Sequence, residues 1–231
     1  MPRQSEFGKR LSAAANFVRA EAVFADIGTD HASLPIYLAS QGKVKTAYAC
    51  DVAEKPVELA KRNVEQSGYS DIIAVRLTDG FCGLDNIGLT DAAVCGMGGE
   101  LIAALLSAEC ARFLRTDRVR LILQPMSRSA YLRHYLASEG FDIEDEVIVR
   151  DMGRQYEIMC AVYTGVPYTL TPIEAQLGKA NIARGGKELA VLCERRLLHL
   201  KNLLGGTSGK EREETLELIE MLEKAEKEVL K

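Results

Sequence analysis

A chain of 231 residues, 27% charged and 47% hydrophobic, can bury about 70% of the surface its unfolded form exposes, so its core needs neither a disulfide nor a metal staple. The formal charge of −4 excludes holding nucleic acid by bulk positive charge alone. No apolar run reaches the roughly 18 residues of a membrane helix, and Met1–Phe7 carries no secretory-leader pattern, so a cytoplasmic protein is expected.

Along the chain, Val23–Ile27 predicts a buried strand ending at a glycine turn, and Leu34–Gln41 a helix. A second strand follows at Lys45–Asp51, with a second helix over Lys55–Ser67 that stops at Gly68. Ile72–Leu77 reads as a third strand. Asp91–Cys95 reads as a fourth, followed by Gly96-Met97-Gly98-Gly99 and a helix from Glu100 to Ala111. Arg120–Gln124 is a fifth strand, backed by a helix over Arg128–Ser138. The last two strands, Asp142–Arg150 and Tyr156–Tyr163, are joined by a linker too short for a crossover helix, so they pair as an antiparallel hairpin. Strands alternating with helices demand a mostly parallel sheet covered on both faces: a seven-stranded, doubly wound α/β sheet with a hairpin at one edge.

Composition changes at Thr164–Pro167, which divides the chain into an α/β domain over 1–165 and a helical domain over 166–231. In the latter, Ala190, Cys193, Leu197, Leu200 and Leu204 step by three and four residues, as do Leu218, Leu222, Ala225 and Val229. The glycine-rich turn at 205–209 between them predicts an antiparallel, coiled-coil-like helical hairpin, and Gly185-Gly186 weakens or bends its first helix. The six cysteines (50, 82, 95, 110, 160 and 193) contain no CxxC pair and read as reduced, buried thiols, and the three histidines are too scattered for a metal site. Two stretches are locally basic: Arg112, Arg115, Arg118, Arg120, Arg128 and Arg133 against Asp117, and Arg3, Lys9, Arg10 and Arg19 against Glu6. They are either solvated helix faces or surfaces that attract a polyanion.

Ligands of an open parallel sheet bind beyond the carboxyl ends of its strands. Those ends carry Asp26-Ile27-Gly28-Thr29-Asp30-His31, Cys50-Asp51-Val52, Leu77-Thr78-Asp79-Gly80, Cys95-Gly96-Met97-Gly98-Gly99 and Leu123-Gln124-Pro125-Met126. Asp51 ends the second strand where a carboxylate accepts from both hydroxyls of a ribose; its other reading is the N-cap of the following helix. The first turn places Asp30 where a diphosphate-binding GxGxxG loop has its second glycine, which disfavours a nicotinamide dinucleotide. A carboxylate there suits a nucleoside with a cationic end and no phosphate, S-adenosylmethionine, with Asp79-Gly80 accepting from the adenine amino group.

These motifs, together with Leu34-Pro35, Arg154-Gln155-Tyr156-Glu157 and the helical hairpin, resemble over nearly the whole chain the bacterial tRNA (adenine-N1)-methyltransferases that modify adenine 22 in the D-loop. The resemblance implies a class I methyltransferase fold, S-adenosylmethionine as donor, tRNA as substrate, no metal and no membrane, with a monomer favoured. Mapped by motif, it implies Asp26, Gly28, Thr29 and His31 at the methionine end of the cofactor, Asp51 and Val52 at the ribose, and Asp79 and Gly80 at the adenine. Gly96, Met97, Gly98 and Gly99 would flank the transferred methyl group, and Arg10, Gln124, Arg133 and Tyr156 are candidate substrate contacts. Gly96–Gly99 stands where many amino-directed methyltransferases carry Asn/Asp-Pro-Pro-Tyr, so that aromatic clamp is missing. The competing readings are a tight turn with Met97 as core filler for this segment, a helix cap for His31, and plain surface for Arg10. For the whole chain they are a methyltransferase of another RNA, a protein or a small molecule, or a non-catalytic RNA-binding protein.

Overall fold

In a computed structural model, residues 7–116 and 118–229 are described. Arg3 and Glu6 of the N-terminal basic stretch, with the rest of Met1–Glu6, lie outside the described residues, as do Asp117 and the side chain of Val229. The strands are β1 (Ala22–Ile27), β2 (Val44–Asp51), β3 (Ile73–Leu77), β4 (Asp91–Gly98), β5 (Arg120–Ser127), β6 (Phe141–Asp151) and β7 (Arg154–Tyr163). Among the described residues they form one seven-stranded sheet in the order β3-β2-β1-β4-β5-β7-β6. All pairings are parallel except β5 with β7 and β7 with β6, the expected edge hairpin. Chain order reverses between β1 and β4, which places the ligand crevice at their tips.

Alternation along the strands divides the core. Ala25 and Ile27 of β1 join Val94, Leu121, Leu123 and Phe141 on one face, under α4 (Gly99–Ser107) and α5 (Ser129–Ser138). Ala22 and Phe24 join Ala47, Ala93, Ile122 and Ile158 on the other, under α1 (Lys9–Phe17), α2 (Ser33–Ser40) and α3 (Glu54–Ser67). No sequence pattern announced α1. It is short and docks through Ala14 and Ala15, whose small side chains let the helix approach the sheet.

Two further short helices, α6 (Pro172–Leu177) and α7 (Lys179–Arg184), were likewise unpredicted; α6 opens with a capping box between Thr171 and Glu174. The glycine pair expected to bend the first hairpin helix instead precedes it: Gly186 is the N-cap of α8 (Lys187–Leu203). α9 (Gly209–Val229) completes the hairpin. Leu189, Leu192, Cys193, Leu197 and Leu200 of α8 pack with Ile219 and Leu222 of α9, Leu177 of α6 and Ile148 of β6, so the hairpin is seated on the sheet edge.

The cysteine reading needs correction. Cys82 and Cys110 form a disulfide with Cα atoms 5.0 Å apart, linking residues 28 positions distant that no local spacing could pair. Cys50, Cys95, Cys160 and Cys193 are free. Burial pushes the Cys50 and Cys95 thiols up to about 12, which keeps them protonated and unreactive. No helix among the described residues is long and apolar enough to cross a membrane.

Candidate active site

The turn after β1 is drawn back onto β2: the Gly28 and Thr29 amides both donate to the Cys50 carbonyl at 2.8 Å. Those N–H groups are therefore not free to cradle a phosphate. Asp26, one residue beyond Phe24 and Ala25 on the last buried turn of β1, is 8% exposed and accepts from the Thr29 hydroxyl at 2.7 Å. Burial pushes its carboxyl up to about 6, against the opposing effects of the Thr29 hydrogen bond and the Arg10 guanidinium. Asp30 and His31 are exposed and pair with each other at 2.9 Å. The N-cap of α2, Ala32, has no side-chain cap, so His31 does not serve as one.

At the next tip, one oxygen of half-buried Asp51 accepts from the Ala53 amide at 2.8 Å. Ala53 is itself the N-cap of α3, which has no side-chain cap hydrogen bond, so Asp51 is not the cap either. Two large apolar side chains lie open beside it: Val52, 70% exposed, and Leu77, 54% exposed and the register partner of Asp51 on β3. The Thr78 amide donates to the Asp51 carbonyl at 2.9 Å, tying the loop that carries exposed Asp79 and half-buried Gly80 to the same tip. A carboxylate flanked by exposed apolar groups fits a nucleoside, whose sugar is polar and whose base is flat and apolar.

At the β4 tip, Gly96 is exposed and Met97 folds back over the β1 turn. A β-carbon on Gly28 would lie 2.1 Å from the Met97 methyl, so only glycine admits that contact. Gly98 faces the Ser127 hydroxyl. Gly99 is buried, and a β-carbon there would lie 2.5 Å from the Arg128 carbonyl; its role is to let the β4–α4 and β5–α5 turns close on each other.

Three of the candidate substrate contacts converge. Arg10 of α1 donates from Nη1 to Gln124 Oε1 at 2.6 Å, its guanidinium lies 5.6 Å from the Tyr156 ring centroid, and its amide donates to Asp151 at 3.1 Å. Gln124 is fully buried and its Nε2 donates to the Pro125 carbonyl, so it holds Arg10 rather than presenting a free amide. The fourth candidate, Arg133, is corrected: it is 1% exposed, bonded to Glu146 at 2.6 and 2.9 Å, to Glu157 at 2.9 Å and to the Ala175 carbonyl at 3.0 Å. A guanidinium committed in this way cannot reach a substrate.

Much of the rest of that basic stretch is also paired. Arg112, Arg115 and Arg120 pair with Glu109, Glu139 and Glu144, and Arg19 of the N-terminal stretch pairs with buried Asp91. Guanidinium groups gather elsewhere, in a groove of about 940 Å³ between the β5–α5 turn, the β6–β7 hairpin and α8, where Arg128, Arg150, Arg154 and Arg195, with His199, face Tyr156 and Met126; Arg128 and Arg150 there also pair with Glu100 and Glu188. The one local signal was the spacing of Arg195 and His199, one helical turn apart on α8.

Comparison with known proteins gives the family. Residues 7–159 match the methyltransferase-domain family. Over 157 residues the chain is 40% identical to the tRNA (adenine(22)-N(1))-methyltransferase of Bacillus subtilis, a match spanning 68% of this chain and 65% of the relative's own length. The crystal structure of the B. subtilis m1A22 tRNA methyltransferase TrmK superposes with a TM-score of 0.82 at 30% identity, covering 97% of this chain and 98% of that one. TrmK of M. capricolum, solved with the cofactor product S-adenosyl-homocysteine, gives a TM-score of 0.78 at 25% identity over 96% of each chain.

Proposed function

Because the chain belongs to the bacterial tRNA (adenine(22)-N1)-methyltransferase family, we propose that it transfers a methyl group from S-adenosylmethionine to N1 of adenine 22 in tRNA. The observation that carries this reading is the half-buried Asp51 carboxylate between exposed Val52 and Leu77, beside a β1 turn whose amides are already spent on Cys50. That tip accepts a nucleoside and offers nothing to a diphosphate.

When bound, the donor supplies a methyl group on a sulfonium that is already an activated leaving group. Asp51 would hold the ribose hydroxyls, Val52 and Leu77 would flank the adenine ring, Asp79 and Gly80 would take its amino edge, and Asp26, Gly28, Thr29 and His31 would line the methionine end. Adenine N1 keeps an in-plane lone pair at neutral pH, so no side chain has to act as a base. The chain's task is to hold N1 in line and keep water out, which is worth up to roughly 7–11 kcal/mol. Gly96 and Gly98, lacking side chains, leave room beside Met97 for the incoming base, and Tyr156, steadied by Arg10, walls the same mouth. N1 lies on the pairing edge, so the nucleotide enters unpaired or flipped, at a cost of a few kcal/mol. The basic groove receives the RNA backbone. The protein works as a monomer in the cytoplasm.

Asp26 gives this reading a pH dependence. Its folded pKa, about 6, lies above the ordinary aspartate value of 3.8, so without ligand its ionised form costs stability that grows as pH rises between those values. A cationic ligand favours the ionised form. Donor affinity should therefore climb up to about tenfold per pH unit below 6 and level off above it. Calorimetry across pH 4.5–8 checks this, and Asp26→Asn should flatten the curve.

Arg154 and Arg195, if they contact phosphates, should each account for about 0.7–0.9 of the slope of log tRNA affinity against log salt. Filter-binding titrations of Arg154→Gln should show the slope shallower by that amount. Incubation with methyl-labelled donor and bulk tRNA, followed by mapping of the modified nucleotide, tests the function itself. N1-methyladenine at position 22 is expected. Label confined to protein, a small molecule or another RNA overturns it.

A further inference from the structure

Glu157 is the last residue of the Arg154-Gln155-Tyr156-Glu157 motif, and the site described above does not use it. It sits on β7 directly after Tyr156 and is 5% exposed. Four partners from two helices converge on its carboxylate. Arg133 of α5 donates at 2.9 Å, Arg196 of α8 at 2.6 Å and the Ser129 hydroxyl at the start of α5 at 3.1 Å, while Arg195 of α8 stands 3.7 Å away. Arg196 also donates to Ser129 and, at 3.4 Å, to the Gln176 carbonyl. Burial alone would raise the Glu157 carboxyl; Arg196 and Arg133 outweigh it and hold the group below the ordinary carboxylate range, ionised.

Arg195 and Arg196 are neighbours on α8 that share Glu157 unequally. Arg195 is 45% exposed and looks into the basic groove; Arg196 is 19% exposed and turned toward Glu157 and Ser129. Ser129 and Glu157 belong to the two segments, β5–α5 and β6–β7, whose neighbouring residues reach the β4 tip: Ser127 and Arg128 lie against Gly98 and Gly99, and Tyr156 lies under Arg10, which stands over Gly96. A charge-assisted, multiply bonded carboxylate between rigid elements has one arrangement. We propose that Glu157 and Arg196 form the joint that fixes α8, and with it the RNA-binding wall of the groove, in register with the active-site mouth. Both are positioning residues for the RNA substrate, and this role rests on the tRNA reading above.

The test compares full-length Arg196→Met, Arg196→Lys, Glu157→Gln and Arg195→Gln by steady-state methylation of tRNA, with cofactor-product binding by calorimetry and melting temperature recorded for each. A misregistered wall lowers turnover at saturating tRNA, because a displacement on the order of 1 Å at the reacting atoms can cost about a hundredfold. Arg196→Met and Glu157→Gln should therefore lose tenfold or more in kcat while binding S-adenosylhomocysteine within twofold of the parent. Arg196→Lys should recover most of the kcat. Arg195→Gln should raise KM for tRNA and leave kcat nearly intact. The joint is overturned if Arg196→Met shifts only KM, as a phosphate contact would, if it weakens cofactor binding equally, or if the melting temperature drops with kcat unchanged. A parent protein that leaves tRNA unlabelled contradicts the function reading instead, so the two failures are distinct.

Discussion

Asp51→Ala should weaken binding of S-adenosylmethionine and of its demethylated product about a hundredfold while leaving the ligand-free protein as stable as before. Two hydroxyls donating to one carboxylate are charge-assisted hydrogen bonds worth roughly 1.5–3 kcal/mol each, and every 1.4 kcal/mol is about a factor of ten in affinity. In the folded chain the side chain accepts one backbone hydrogen bond, from Ala53, at a half-exposed strand tip, so the fold loses little with it. Equilibrium dialysis with labelled donor and a thermal melt of the ligand-free protein separate the two effects. A melting temperature several degrees lower with cofactor affinity intact would make Asp51 a structural residue of the β2–α3 turn.

Arg133→Met should produce the largest loss of stability of any single change considered. Its guanidinium is 1% exposed and bonded to two carboxylates and a carbonyl; removing it strands Glu146 as a buried charge, while Glu157 keeps Arg196 and Ser129. Breaking a buried pair from one side costs about 3–5 kcal/mol. In a protein of this size that lowers the melting temperature by roughly 2–4 °C per kcal/mol. Differential scanning calorimetry should show a fall of about 6–20 °C, little affected by salt because the pair is shielded from solvent. Glu146→Gln in the same background should restore part of it by removing one stranded charge. A change of a degree or two would show that water reaches the cluster and that the network is energetically slack.

How much of this was legible from residue order follows from which forces act locally. The strands were, because most are short apolar runs closed by a glycine or an acid, and so was the edge hairpin, whose linker of residues 151–155 admits no crossover. The strand-tip aspartates were legible for the same reason, since sheet topology fixes where their positions meet. Helices α1, α6 and α7 were not. They are short and bury only alanines, one leucine or, in α7, Asn181, leaving no periodic stripe. Charge was the least legible property. In the basic run from Arg112 to Arg133, Arg112, Arg115, Arg120 and Arg133 pair with Glu109, Glu139, Glu144, Glu146 and Glu157, four of which come from β6 and β7 or the turn before them. Arg128, Arg150, Arg154 and Arg195, scattered in sequence, share one groove. Ion pairing depends on tertiary neighbours, so counting charge along a chain finds basic segments but not basic surfaces. The Cys82–Cys110 link went unread for the same reason.

A crystal structure of the protein soaked with S-adenosylhomocysteine tests the central claim most directly. The ribose hydroxyls should sit within hydrogen-bond distance of the Asp51 carboxylate, with the adenine between Val52 and Leu77 and the sulfur turned toward Gly96 and Met97. Density for the ligand at any other place, or at these tips with Asp51 pointing away from the sugar, would contradict it.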